Sequence, residues 1–276
     1  MIEKCIADFF AEANIAYYAS LPIEECNMNQ AMLSRRPLPF APKSVLLYLI
    51  PYYVSFGENI SAYATSYDYH FFAKKLGENL KEKLLALCPN EAFLSLCDAS
   101  PLDERRAAAK AGLGVIGDHG LLICEKYGSY VFIGEMLSTL PADAFGCKYI
   151  GEVKTCLHCG RCKTACPTSC LEDHARPCLS FITQKKGELT AEEISYLKQG
   201  KMLWGCDACQ TVCPMNFPLA EPPQTPISYF YDGRITHLTK DIIESMDDAV
   251  FSKYAFAWRG RAVLQRNATL LDEISE

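Results

Sequence analysis

Four cysteines, Cys156, Cys159, Cys162 and Cys166, with Pro167 directly after the last, spell C-x2-C-x2-C-x3-C-P. Thiolates at that spacing let one loop wrap a cubane 4Fe-4S cluster with three sulfurs, while the fourth, carried away on a following helix, reaches a second cluster. A second run, Cys206, Cys209 and Cys213 before Pro214, repeats the C-x2-C-x3-C-P ending. The pseudo-symmetry of the two runs predicts one cluster on Cys156, Cys159, Cys162 and Cys213, and another on Cys166, Cys206 and Cys209 that lacks a ligand. Cys178, between the runs, is the candidate for that place. The competing chemistry is a pair of structural zinc sites, since C-x2-C pairs also bind zinc. Zinc accounts neither for the third and fourth cysteines nor for the prolines. Cys5, Cys26, Cys88, Cys97, Cys124 and Cys147 read as small buried hydrophobes, and Cys170 is left undecided.

Two close clusters form a short electron wire, and a wire needs an acceptor. The glycines of AGLGVIG (residues 111–117) follow a helix rather than a strand, which is the wrong setting for a dinucleotide fingerprint. By themselves they read as a helix stop and a tight turn.

The chain has 276 residues, half of them apolar and 22% charged, the balance of a folded globular protein. Its formal charge of −6 supplies no overall attraction for phosphate backbones. The first twenty residues carry acidic side chains and no long apolar core, so they do not read as a secretory signal. The run 44–56 is too short to span a bilayer and is broken by Pro51. A soluble cytoplasmic protein without membrane contact is expected, and in that reducing setting fifteen cysteines call for an explanation other than disulfides.

Apolar spacing predicts an opening helix within 1–20, a buried strand over 45–54 and an amphipathic helix over 69–87 with Phe71, Phe72, Leu76, Leu80, Leu84 and Leu87 near one face. A short strand over 92–96 leads into Cys97 and Asp98, and a helix covers 101–111. Strands follow at GLLIC and YVFIGEML, separated by a turn at Tyr127-Gly128. Nine of the fifteen cysteines then fall between Cys156 and Cys213, which marks a change of module. The expected organisation is an α/β domain over 1–148, an α+β ferredoxin-like double-cluster domain over 149–222, and a helical extension over 223–276, with 218–226 as an extended exit. Asp98, followed by Ala99, Ser100 and Pro101, reads locally as a helix N-cap.

The segments SAYATSYDYH, CDASPLDERRAAAKAGLGVIG, YGSYVFIGEML, CLHCGRCKTACPTSC, RPCLSFIT and WGCDACQTVCPMN, in this order from Ser61 to Asn216, closely resemble the epoxyqueuosine reductases. That resemblance implies a cobalamin-dependent iron-sulfur enzyme which reduces the epoxide of epoxyqueuosine in tRNA to an alkene. It places base-off cobalamin between the α/β domain and the cluster module, with electrons from an external one-electron donor of flavodoxin or ferredoxin type. By position it makes Asp98 the proton donor. The chemistry agrees, because a departing epoxide oxygen needs a proton and a carboxylic acid in an apolar pocket keeps one at neutral pH. The resemblance also implies cobalamin contacts at Asp98, Gly112, Gly114, Gly117, Ile133, Gly134, Leu137 and Lys186, the glycines by letting backbone approach the corrin.

The chain departs from the family pattern at Val115, at Asp118-His119-Gly120 and at Ala62, and it stops about fifty residues after the double-cluster segment, where many members continue into helical repeats. With the acidic charge, these departures point away from tRNA and leave two further readings: a two-cluster electron carrier, or a corrinoid reductase for a smaller substrate. Arg259, Arg261 and Arg266, on the predicted last helix, are the residues that could touch phosphate; a solvated face is the plainer reading.

Overall fold

The structure, a computed structural model, describes residues 1–147, 149–217 and 221–272. The expected exit at 218–226 and the extension to 276 therefore lie partly outside the described residues. The chain packs as two units, one of residues 1–51 with 70–158, the other of residues 52–69 with 159–276.

Unit 1 is built on a four-stranded sheet, β1 (Tyr18–Pro22), β2 (Ser44–Pro51), β3 (Phe93–Cys97) and β6 (Val131–Ser138), in the order β1-β2-β6-β3. Every pairing is antiparallel, with Tyr48 opposite Gly134 and Leu96 opposite Glu135. A second, two-stranded sheet pairs β4 (Val115–Ile116) with β5 (Leu122–Ile123). β5 is all that forms of the expected GLLIC strand.

β2 is buried along its whole length, so both faces of the sheet are covered. Val45, Leu47 and Leu49 point into an apolar layer with Ala107, Ala108 and Ala109 of α4 (Glu104–Lys110), Leu113, Ile133 and Leu137. On the other side Tyr48 meets Phe10 of α1 (Ile2–Glu12), ring centroids 5.1 Å apart. After β1 comes the short α2 (Gln30–Arg35). The long α3 (Tyr69–Leu87) buries Tyr69, Ala73, Leu76, Leu80 and Leu84 at helical spacing, whereas Phe71, expected on this face, is exposed. Gly77 lies mid-helix because α3 runs close to β3: a Cβ there would come within 1.8 Å of the Ser95 hydroxyl.

α4 starts later than the sequence suggests. Its N-cap is Asp103, whose carboxylate accepts the Arg106 N–H at 3.3 Å. The N-cap reading of Asp98 is thereby overturned, and Asp98 instead holds a left-handed backbone with φ of 63°.

Unit 2 is helical: α5 (Arg161–Thr164), α6 (Leu179–Gln184), α7 (Ala191–Gly200), α8 (Ala208–Thr211), α9 (Lys240–Ser245), α10 (Asp248–Phe251) and α11 (Arg261–Asp272), joined by turns. α7 opens with a capping box between Thr190 and Glu193. Segment 52–69 enters this unit through Ile60 and Ala64, which share a core with Trp204, Phe256 and Leu264. Among the described residues no helix is long and apolar enough to cross a membrane.

Candidate functional site: cluster cysteines and the Asp98 turn

Among the described residues no cysteine is in a disulfide. In unit 2 the second run is fixed by Asp207, which lies between two of its cysteines. This nearly fully buried carboxylate accepts the Ser61 hydroxyl at 2.5 Å, the Ala62 N–H at 2.6 Å and the Gln210 side-chain amide at 3.0 Å. Burial, against the pull of these donors, raises its pKa. Gly205 holds a φ of 71° and presses against Ser61, and its N–H donates to the Thr183 hydroxyl. The loop that presents Cys206 and Cys209 is therefore held by its own backbone and by segment 52–69.

Charges at Cys166 and Cys178 both bear on Cys206 and on Cys209. The Cys206 thiol is pushed up to about 12, first by burial and then by charge at Cys178, Asp207 and Cys166. Cys209 is raised further, again by burial first, then by Cys206, Cys178, Asp207 and Cys166. Cys166 lies below its ordinary value, because hydrogen bonds from Thr168, Cys170 and Leu171 outweigh the opposing effect of burial. Cys170 sits 3.6 Å from Cys166, sulfur to sulfur, and is raised to about 11, chiefly by burial. Neighbouring thiols that raise one another's pKa repel as thiolates, and a cation among them relieves that repulsion. This donor set fits an iron-sulfur cluster.

Of the other expected set, Cys159 and Cys213 line one cavity of about 650 Å³ with Arg161, Thr164 and Phe217, and Cys162 is buried on α5, which packs on α8. Cys156 falls in unit 1. There its sulfur accepts the Asp118 N–H at 3.3 Å, and the Asp118 carboxylate pairs with His158 at 2.7 Å. Neither Asp118 nor His158 stood out in the sequence, although His158 lies between two cluster cysteines and Asp118 is one of the departures from the family pattern.

Asp98 lies just after β3 in unit 1, its side chain 43% exposed and its Oδ2 3.3 Å from the His70 Nε2. Within unit 1 nearly half of that side chain faces solvent. The buried carboxyls are its neighbours. Glu135 is fully buried on β6 and raised to about 7, by burial first and by the Asp98 charge, with the Ser100 hydrogen bond opposing. Glu104 is raised to about 8 by burial, then by Glu135 and Asp98. His70 was missed because its motif, SAYATSYDYH, spans the crossing from one unit to the other, and nothing local links it to Asp98.

The remaining expected contacts are placed as follows. At Gly112, Gly114 and Gly117 an added Cβ would strike Ile150, the Ile123 backbone and the His119 ring, so protein atoms take the room that glycine leaves. At Gly134 it would strike the Tyr48 ring at 2.2 Å. Leu137 is wholly covered in the apolar layer facing α4 and Ile133 nearly so, which makes both of them core residues that offer a ligand little or no surface. Lys186 is exposed, whereas its neighbour Lys185 is tied to Glu193 at 2.8 Å.

Residues 155–216 match the 4Fe-4S double cluster binding domain family. The epoxyqueuosine reductase of Bacillus cereus is 31% identical over 214 residues, a stretch covering 74% of this chain and 53% of that protein. A solved epoxyqueuosine reductase with an epoxyqueuosine-modified tRNA stem loop superposes with a TM-score of 0.75 at 22% identity, covering 98% of this chain and 81% of the other. The Bacillus subtilis epoxyqueuosine reductase, with its catalytic loop swung out of the active site, gives 0.74 at 21% identity, covering 98% and 82%. At such identities the solved structures establish the fold, a mixed α/β one, and the chain spans about half the length of the curated relatives it matches. Over the aligned residues the chain is accordingly a homologue of the epoxyqueuosine reductases, with their fold and with a 4Fe-4S double cluster binding domain.

Proposed function

We propose that this chain is a cobalamin-dependent iron-sulfur reductase that converts the epoxide of epoxyqueuosine in tRNA to the alkene of queuosine. The observation that carries the reading is the mutual grouping of Cys166, Cys178, Cys206 and Cys209 within the double-cluster segment of a reductase homologue. The overall change takes two electrons and two protons, and the epoxide oxygen leaves as water. When bound, the corrinoid supplies a strongly reducing cobalt centre.

The chain's own residues divide the remaining work. Cys156, Cys159, Cys162 and Cys213 hold one cluster, and Cys166, Cys178, Cys206 and Cys209 hold the other. Asp98 delivers a proton to the departing oxygen, with His70 beside it to restore that proton. Support for the role of Asp98 comes from the Bacillus subtilis relative, described with an aspartate on the catalytic loop that swings out of its active site. Gly112, Gly114 and Gly117 would offer backbone to the corrin, and Lys186 would add a side-chain contact. In this reading residues 1–148 serve corrinoid and substrate, 149–222 the clusters, and 223–276 form a helical extension. An external one-electron donor of flavodoxin or ferredoxin type feeds the clusters, in the cytoplasm.

One observation favours a second reading, a corrinoid reductase or electron carrier without tRNA. Arg261 donates to the carbonyls of Ile243 and Met246, and Arg266 to those of Lys185 and Gly187, so these two arginines serve the fold rather than phosphate. The test is tRNA from a strain lacking the gene. Accumulated epoxyqueuosine supports the reductase; unaltered queuosine, with iron and corrinoid in the anaerobically purified protein, moves the reading to another substrate.

A further inference from the structure

Unit 1 buries a carboxyl group to which the reaction above gives no role. Glu135 lies in the middle of β6, opposite Leu47 on one side and Leu96 on the other, and is 0% exposed. Its Oε1 is buried and makes no hydrogen bond among the described residues. Its Oε2 accepts the Ser100 hydroxyl at 2.6 Å. A carboxyl in such a place costs stability, and an apolar residue of similar size would pack there at less cost. The one hydrogen bond this side chain makes among the described residues goes to the turn that carries Asp98.

That turn needs holding. Asp98 has a φ of 63°, a left-handed backbone state that a residue with a Cβ holds only at a cost and that persists where the surroundings impose it. Within the turn the Ala99 N–H reaches the Cys97 carbonyl at 2.8 Å and the Ser100 N–H the Asp98 carbonyl at 2.7 Å. Both contacts are internal to the turn and would travel with it. Ser100 ties the turn to its surroundings: its hydroxyl donates to Glu135 in the sheet and accepts the Leu102 N–H at 3.1 Å on the approach to α4.

We propose that the Ser100–Glu135 hydrogen bond is a latch that holds the Asp98 turn in its working conformation, which makes Ser100 and Glu135 positioning residues for proton delivery. The proposal rests on the reading of Asp98 as proton donor. Releasing the latch leaves the clusters and the sheet intact but lets Asp98 leave its place, which lowers turnover without weakening substrate binding.

The test is amide hydrogen exchange of residues 97–102 in the full chain loaded with clusters and corrinoid, alongside kcat and KM on epoxyqueuosine tRNA. Ser100→Ala is expected to speed exchange in that segment about tenfold or more, with exchange over 131–138 unchanged, and to lower kcat about tenfold at constant KM. Ser100→Thr and Glu135→Gln, which keep a donor and an acceptor, are expected to stay within about threefold of the unaltered protein. Exchange in Ser100→Ala equal to that of the unaltered protein overturns the latch, as does equal loosening in Ser100→Ala and Ser100→Thr. If Glu135→Gln does not fold, the two Ser100 variants decide. Normal turnover in Asp98→Asn would instead remove the proton-donor reading, and the exchange measurement still judges the latch.

Discussion

The Nε2 of His70, at the start of α3, lies 3.3 Å from the Oδ2 of Asp98, just after β3, so two elements distant in sequence meet at one histidine–carboxylate pair. General acid catalysis by a positioned side chain is worth about 10²–10⁴-fold. Asp98→Asn is therefore expected to lower kcat by at least about a hundredfold, with iron content and visible absorbance retained. His70→Gln should cost less, about tenfold, since solvent can also reprotonate a half-exposed carboxylate. Single-turnover assays on both variants check this. Equal rates for the Asp98 variant and the unaltered protein would remove Asp98 from the reaction.

The buried carboxyls make a prediction about stability and pH. Glu135 and Glu104 are raised to about 7 and about 8, so the folded chain binds protons that the unfolded chain releases near pH 4.5. Stability conferred by keeping these groups neutral is complete below that unfolded value. It falls as pH rises through the window from about 4.5 to about 8, by up to ~1.4 kcal/mol per pH unit for each proton held. Denaturant midpoints measured from pH 5 to pH 8.5 should decline, and Glu135→Gln should flatten the decline. A midpoint that rises over this range in both proteins contradicts the assignment.

Asp207 joins the second cysteine run to a segment about 145 residues earlier in the chain. Asp207→Ala leaves the Ser61 hydroxyl and the Ala62 N–H without their acceptor, a change that costs several kcal/mol at a buried site. The variant is expected to keep one cluster and lose the other, falling from about eight to about four irons per chain. Asp207→Asn, which retains an acceptor oxygen, should hold an intermediate content. Iron and sulfide analysis after anaerobic purification decides the matter, and full iron content in the alanine variant would mean that the loop holds its shape without this anchor.

Cys170 and Cys178 can be separated in the same way. Charge at Cys178 bears on both Cys206 and Cys209, whereas the interactions of Cys170 are with Cys166, 3.6 Å away, and with Cys178 itself. Cys178→Ser should cost half the iron and Cys170→Ser almost none. The reverse result would exchange their roles.

Much of this was legible locally. The cysteine spacing marks the segment that matches the double cluster binding domain family, and the run that becomes β2 and the period of α3 are patterns within one element that the chain follows. What escaped was non-local. Tyr18–Pro22 is too short and mixed to read as a strand, and it pairs only because β2 offers an edge. Asp98 looks like a cap in sequence, but the cap is Asp103, five residues on, and Ser100 between them turns its hydroxyl to Glu135, a partner distant in sequence. The sequence reading also assigned Gly134 and Leu137 to a ligand on the strength of resemblance, whereas Tyr48 and the layer beneath α4 claim them. Nothing in a linear reading shows that residues 52–69 belong with residues 159–272.

That last placement bears on how the protein can be made and cut. The Ser61 N–H donates to the Trp204 carbonyl at 2.8 Å, and the Trp204 indole donates to the Tyr63 hydroxyl at 2.9 Å. During synthesis the loop that leaves at Pro51 and returns at His70 has to wait, its partners unmade, until the ribosome has delivered some 140 further residues. Folding of the loop that presents Cys206 and Cys209 thus waits on that return, and a piece that begins at residue 159 would lack the segment that anchors it.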